Sequence, residues 1–311
     1  MSLPIKIELP KDFLKAENRC GYEISEKQKK IWAIELDLLI RLLGACEKYG
    51  IRVQVFFGTL LGAIRHKGFI PWDDDLDVCI DRDNFEKLLS IARHEFEYPY
   101  FLQSALSDRK YYCPYARFRN SETTGVISWT PSEDYNNGIY IDVFVYDGCP
   151  QSRIGYKINY FFYSVLSKIM RNYYAPVHSD VPMKGRVKWV LTKMTHLLSF
   201  DMWYKIFLLF LSINKNSSKV ALLFGAPWDS GSKWIFNRCD LQDITEYLFE
   251  GFSVPGTTAY DAILRRLYGN YTEYPPVENR GIWHEGKIHF EPDLPYKKYF
   301  DRRVNGSTDA L

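Results

Sequence analysis

The chain has 311 residues, 46% hydrophobic and 25% charged, the make-up of a globular protein with room for one large domain or two modest ones. Forty Lys and Arg against 38 Asp and Glu leave a formal charge of +2, which argues against nucleic acid as a partner, and no apolar run approaches the ~18 residues of a membrane span. Six scattered cysteines without a C-x-x-C pair, and a start (Met1-Ser2-Leu3-Pro4) without a basic segment leading into an apolar run, predict a reduced chain in the cytoplasm.

From Gln28 to Tyr49 the apolar residues Ile31, Ile34, Leu38, Leu42 and Ala45 recur at helical spacing, and Gly50 marks a stop. A short strand is predicted over 52–57, ended by Gly58-Thr59 before a helical turn from Leu60 to Arg65. After a loop over 66–74, Leu76, Val78 and Ile80 alternate with Asp75, Asp77 and Cys79, which predicts a second strand with its two acids facing one way. Asp83 reads as the cap of a following helix through Phe85, Leu88, Leu89 and Ala92. Tyr111 to Arg119 is a weaker strand and Gly138 to Tyr146 a stronger one, with Asp142 opposite the apolar face of Ile139, Ile141, Val143 and Val145. The chain then reads as helical to about Asn214, with a break at Pro176 to Pro182, and ends with a helix from Tyr260 to Tyr268, stopped by Gly269, and a Pro-rich tail of short loops.

Two carboxylates on one face of a strand repel unless something positive lies between them. Asp75 and Asp77, with Asp142 from a neighbouring strand, make a suitable partial shell for Mg²⁺, which prefers a few carboxylates together with substrate phosphates and water. Gly58 lets backbone approach a phosphate, the helix start after it offers free amides, and Thr59 adds a hydroxyl. A lone D-x-D or a lone glycine turn is usually surface decoration; the combination within one α/β stretch is what points to a phosphate and metal site.

The run Phe57-Gly58-Thr59-Leu60-Leu61-Gly62-Ala63-Ile64-Arg65-His66-Lys67-Gly68-Phe69-Ile70-Pro71-Trp72-Asp73-Asp74-Asp75-Leu76-Asp77, followed by Tyr140-Ile141-Asp142-Val143-Phe144, closely resembles the signature of LicD-type proteins, relatives of fukutin in the nucleotidyltransferase superfamily. Val254-Pro255, Tyr268-Gly269-Asn270-Tyr271, Pro275-Pro276 and His284 extend the likeness more loosely. The resemblance implies an α/β (α+β) fold, a mixed sheet flanked by helices, with a largely helical middle region. It implies Mg²⁺ or Mn²⁺ held by Asp75, Asp77 and Asp142, and transfer of a phospho-alcohol, phosphocholine in the best-known members, from a CDP-activated alcohol donor to a sugar hydroxyl of a glycan or lipid-linked glycan acceptor. The superfamily pattern has Gly-Ser where this chain has Gly58-Thr59, which keeps the hydroxyl. The implied organisation is a catalytic core over 1–150, a helical, aromatic-rich insertion over 151–244 and a C-terminal segment over 245–311 that packs back on the core.

Around this centre Arg65 is the preferred phosphate ligand, its fork suited to two oxygens, with Lys67 either a second cation or a solvated charge. His66 reads as a proton carrier or, more simply, as an exposed residue. Asp73 and Asp74 either supply the base that takes an acceptor proton or orient the loop beside Pro71-Trp72. Arg117 and Arg119, on one face of their strand, reach the same phosphates or stand as surface charges, and His284 closes over the site or packs elsewhere. The aromatic, basic helices around Tyr160-Phe161-Phe162-Tyr163 and Trp203 to Leu211 read first as core; the alternative is a helix on the membrane surface, at its inner face. Two competing functions are nucleotidyl transfer by the same site, moving NMP to a sugar or sugar phosphate, and a non-catalytic binding protein that keeps the fold.

Overall fold

The computed structural model describes residues 3–128, 134–174, 195–225, 231–281 and 286–304. In chain order the elements are β1 (Glu17–Arg19), β2 (Tyr22–Ile24), α1 (Glu26–Lys48), β3 (Val53–Val55), α2 (Phe57–Arg65), β4 (Asp77–Asp81), α3 (Arg82–Glu95), β5 (Tyr100–Gln103), β6 (Ala116–Asn120), β7 (Thr124–Ile127) and β8 (Ile139–Gly148). There follow α4 (Arg153–Tyr173), α5 (Phe200–Ser212), β9 (Lys219–Ala221), β10 (Ile235–Asn237), β11 (Ile244–Phe249), β12 (Phe252–Thr257), α6 (Tyr260–Tyr268), β13 (Ile288–Glu291) and α7 (Tyr296–Val304). The chain divides into two compact units, one of Met1–Gln103, Tyr115–Val145 and Asp243–Leu311, the other of Ser104–Pro114 and Tyr146–Gln242.

In the first unit a mixed sheet runs in the order β5-β6-β8-β4-β3. β3 lies antiparallel to β4 with Val53 opposite Ile80, and β6 antiparallel to β8 with Arg117 opposite Asp142. α1 buries Ile31, Ile34, Leu38, Leu42 and Ala45, the stripe its spacing predicts. The Ser25 hydroxyl accepts the Gln28 amide at 3.1 Å to start the helix, and Gly50, at φ 61°, follows its end.

Four boundaries differ from the sequence reading. β4 begins at Asp77, so Asp75 lies in the preceding loop and not on the strand. The cap of α3 is Asp81, whose carboxylate accepts the Asn84 amide at 2.9 Å; Arg82 is already helical, which leaves Asp83 in the first turn, where its charge complements the helix dipole. The strand expected over Tyr111 to Arg119 shortens to β6, beyond Pro114, which has no amide to give a ladder. The expected loop tail contains β13, paired antiparallel with β7, and α7.

In the second unit Tyr156, Tyr163 and Met170 of α4 and Phe200, Phe207 and Leu211 of α5 form a core with Cys149, Ala221 and Leu223. β9 pairs with the end of β8, Asp147 opposite Ala221, and with β10. The break expected at Pro176 to Pro182 lies outside the described residues. All six cysteines are free, and no helix among the described residues is long and apolar enough to cross a membrane.

Candidate functional site

The loop between α2 and β4 is held from three directions. The Trp32 indole of α1 stacks on Phe69 at 4.5 Å and donates its N–H to the Asp73 carbonyl at 3.0 Å, joined there by the Gln28 amide at 3.4 Å. The Glu250 carboxylate, at the β11–β12 turn, accepts the Phe69 amide at 3.0 Å and pairs with Arg19. At the far end the Asp77 amide donates to the Thr59 hydroxyl at 2.7 Å, while the Phe56 amide donates to the Asp77 carbonyl at 3.0 Å. One step further the Asp142 amide donates to the Leu76 carbonyl at 3.0 Å, which links β8 to the entry of β4. A continuous set of hydrogen bonds therefore runs from α1 through the acidic loop to β8.

α2 starts at Phe57, so Gly58 and Thr59 lie in its first turn and do not form a separate turn before it. The residue with left-handed backbone is Phe57, at φ 44°, a strained choice for a bulky side chain. Gly58 serves a close approach: a Cβ added there would stand 2.6 Å from Asp73 Oδ2. The anion against the N-terminal turn of α2 is thus the chain's own Asp73. Thr59 is buried and its oxygen accepts the Asp77 amide, so it positions an acid directly.

The carboxylates of Asp73, Asp74 and Asp75 each place an oxygen within 4.8 Å of the others, the tight acidic group among the described residues. Asp77 adjoins them. Burial, then the charges of Asp75 and Asp142, push its carboxyl well above the usual range. Burial together with Asp77 and Asp74 lifts Asp73 to about 7. Asp142 is the one residue of β8 that is not buried, and Arg117 donates to its Oδ1 at 2.9 Å while lying over the Tyr140 ring at 4.2 Å. Of the expected trio only Asp75 belongs to the tight group; Asp77 lies outside it and is linked to Asp75 and Asp142 through their charges.

Glu35 was missed. It is fully buried on the face of α1 that carries Gln28 and Trp32, one of its oxygens has no hydrogen-bond partner, and burial together with Asp75, Asp74, Asp73 and Asp77 raises its carboxyl far above normal. The signal was available, since Glu35 interrupts the apolar stripe of α1 four residues after Ile31. Tyr268, at the end of α6, was noted only as part of the loose C-terminal likeness; its phenol is raised strongly by desolvation and by Asp77, Asp73 and Asp75.

The basic residues fall into different places. Arg65 donates Nη1 to the carbonyls of Tyr271 and Glu273 at 2.7 and 3.2 Å and Nε to the His66 ring at 2.9 Å, so it fastens the segment after α6. His66 is half-buried rather than exposed, stacked on Tyr274 at 5.3 Å and edge-on to Trp72; burial, Arg65 and Arg19 lower it to about 4, so it is neutral at neutral pH. Arg280 lies over Trp72 at 4.9 Å and Tyr274 at 5.5 Å. Lys67 is exposed, at φ 58°. Arg119 is buried and donates to Gln103 Oε1 and the Gly138 carbonyl, both at 2.5 Å, which separates its surroundings from those of Arg117. His284 lies outside the described residues.

Fold and site together define an α/β protein whose sheet carries a buried acidic centre, at the entry of β4 and beside Asp142 of β8. Residues 50–186 match the family model described as LicD/FKTN/FKRP, nucleotidyltransferase domain. Over these residues the chain carries a domain of the LicD family. It is similar to the lipopolysaccharide cholinephosphotransferase LicD of Haemophilus influenzae, 28% identical over 265 residues that cover 80% of this chain and 92% of that protein. Shorter stretches match uncharacterized proteins of Rickettsia typhi, 42% identical over 72 residues (22% of each chain), and of Rickettsia prowazekii, 58% identical over 33 residues (11% of this chain and 12% of that one).

Proposed function

We propose that this LicD-type transferase moves phosphocholine from a CDP-activated donor to a sugar hydroxyl of lipopolysaccharide or a related cell-surface glycan. The observation that carries the reading is the convergence of Asp73, Asp74 and Asp75 within 4.8 Å of one another at the entry of β4, in a chain similar along 80% of its length to a lipopolysaccharide cholinephosphotransferase. The acids fit a hard divalent cation: Asp73, Asp74 and Asp75 bring carboxylate oxygens within 4.8 Å of one another, Asp77 feels their charge, and Glu35 keeps an unpartnered oxygen near them. Asp75, Asp77 and Asp142 are the residues to hold Mg²⁺ or Mn²⁺, which when bound neutralises charge on the donor diphosphate.

The chain's own residues supply position. Thr59 fixes the backbone of Asp77, Gln28 and Trp32 fix that of Asp73, and Arg117 orients the Asp142 carboxylate. The first turn of α2, with Gly58 and Thr59, turns the positive end of its dipole toward Asp73, and Lys67 and His284 are the proposed donor-binding residues. In the transfer the acceptor hydroxyl oxygen bonds to the phosphorus that bears choline, the bond from that phosphorus to the CMP oxygen breaks, CMP leaves with the electron pair, and the hydroxyl proton passes to Asp73 or Asp74.

The test is an incubation of the purified protein with CDP-choline, lipopolysaccharide and Mg²⁺. CMP should appear in step with choline on the glycan, and Asp75→Ala should abolish both. Pyrophosphate release from CTP, with CDP-choline untouched, would move the reading to nucleotidyl transfer.

A further inference from the structure

Helix α4 has two apolar faces, and the core uses one. Tyr156, Tyr163 and Met170 point inward and are buried. On the opposite side Ile154, Ile158, Phe161, Phe162 and Val165, at spacings i, i+4, i+7, i+8 and i+11, are 74, 54, 55, 51 and 38% exposed. A helix at the surface of a globular unit ordinarily presents charged and polar side chains there. Five large apolar residues in one exposed stripe are a patch that asks for a partner.

The charges on α4 say which partner. Arg153, Lys157, Lys168 and Arg171 are its only ionisable cations, and no Asp or Glu occurs between Arg153 and Tyr173. On a helical projection at 100° per residue, Lys157 and Lys168 border the exposed stripe on one flank, and Arg153 and Arg171 lie just beyond them. α5 repeats the apolar part of the pattern: Phe200, Phe207 and Leu211 are buried, while Met202, Ile206 and Leu209 form an exposed stripe continued by Ile213; its charges are Lys205 and Asp201, the latter paired with Arg109. Neither helix is apolar enough to cross a bilayer.

We infer that the outer face of α4 docks in the plane of an anionic phospholipid surface, with the Ile and Phe side chains entering the boundary between headgroups and acyl chains and the Lys and Arg side chains pairing with lipid phosphates. At 21 residues, roughly 30 Å, the helix is long enough to lie along such a surface. A protein partner of equal apolarity would leave the line of cations along one flank of the stripe, on a helix without a single acid, unexplained; an anionic bilayer answers both features. The inference stands on the second unit alone and is independent of the reaction proposed above.

Flotation of the full chain with vesicles tests it. Binding to equal parts phosphatidylglycerol and phosphatidylcholine is expected, with little binding to phosphatidylcholine alone and a decline as salt is raised. The Phe161→Ser/Phe162→Ser variant, altered only at exposed positions, should lose at least about tenfold in partitioning with an unchanged melting temperature. Lys157→Gln/Lys168→Gln should lose about tenfold to thirtyfold on the anionic vesicles only. Failure of the wild-type chain to float, or flotation untouched by the Phe variant, overturns the inference. So does light scattering that shows a dimer dissociated by the Phe variant, which would assign the face to a second copy.

Discussion

The carboxylate cluster has a thermodynamic signature that can be read without substrate. Asp73 stands at about 7 against an ordinary 3.8, and Asp77 and Glu35 are raised as well. For a carboxyl whose folded value exceeds its unfolded one, the unfolded chain releases its proton first. Below pH 4 both states keep the proton and the cluster costs nothing. Between about pH 4 and 7 the folded state binds more protons than the unfolded state, so stability falls as pH rises, and above that window the Asp73 share of the loss is complete. At about 1.4 kcal/mol per pH unit, the Asp73 shift alone corresponds to roughly 4 kcal/mol, which its partial contact with solvent trims to about 2–3 kcal/mol. A divalent cation present at a hundred times its dissociation constant returns about 2.7 kcal/mol, a comparable amount. The expected result is a metal-free melting temperature that falls by several degrees from pH 5 to pH 8, and a Mg²⁺-induced rise that is larger at pH 8, because protons compete at pH 5. Glu17, Glu95 and Asp261, held low by their partners, act in the opposite sense and mainly below this window. The comparison with Asp73→Asn isolates the cluster: that variant should be more stable than wild type at pH 8 without metal and lose much of the pH dependence. A metal-free stability that rises between pH 5 and pH 8 equally in wild type and Asp73→Asn refutes the reasoning.

Three further outcomes follow from individual contacts. Thr59→Val keeps the side-chain shape but leaves the buried Asp77 amide without its acceptor; it should cost about 1–3 kcal/mol in denaturant melts and weaken Mg²⁺ binding by calorimetry, and an unchanged cation affinity would mean that Thr59 does not position Asp77. Arg119→Leu and Arg117→Leu should separate: the first removes the donors to Gln103 and Gly138 and destabilises by about 3 kcal/mol, whereas the second frees Asp142 and shows chiefly in lost transfer, so equal effects on stability would contradict the assignment. Glu35→Gln mimics the protonated acid and should change the melting midpoint at neutral pH by less than about 1 kcal/mol; a loss above about 2 kcal/mol would show that Glu35 is ionised in the fold.

The skeleton of the site was readable because its elements are periodic. The apolar stripe of α1, the alternation around Val78 and Ile80, and a lone acid within the apolar run of β8 each announce themselves in sequence. What spacing does not carry is the identity of a side chain's partner. Alternation puts Arg117 and Arg119 on one face, yet only the fold shows that the first meets Asp142 and the second is buried against Gln103 and Gly138. Arg65 reads as a phosphate fork, but its Nη1 is taken up by two carbonyls more than two hundred residues away, a distance over which no local pattern operates.

The same limit explains the most consequential difference at the centre. A glycine at the start of a helix signals that something approaches the backbone there, and the sequence alone suggested a phosphate. In the fold the approaching oxygen belongs to Asp73, held by the Trp32 and Gln28 bonds to its carbonyl. The loop from Arg65 to Asp77 therefore brings its own anion to the helix end and packs three more carboxylates behind it. Folding alone gives no return for that crowding, as the raised carboxyls of Asp73, Asp77 and Glu35 record. A chain that needed only a stable sheet would place a single capping aspartate there. Asp73, Asp74 and Asp75, held within 4.8 Å of one another with Asp77 beside them and braced by Thr59, Trp32 and Gln28, are the crowding that the proposed divalent cation would relieve.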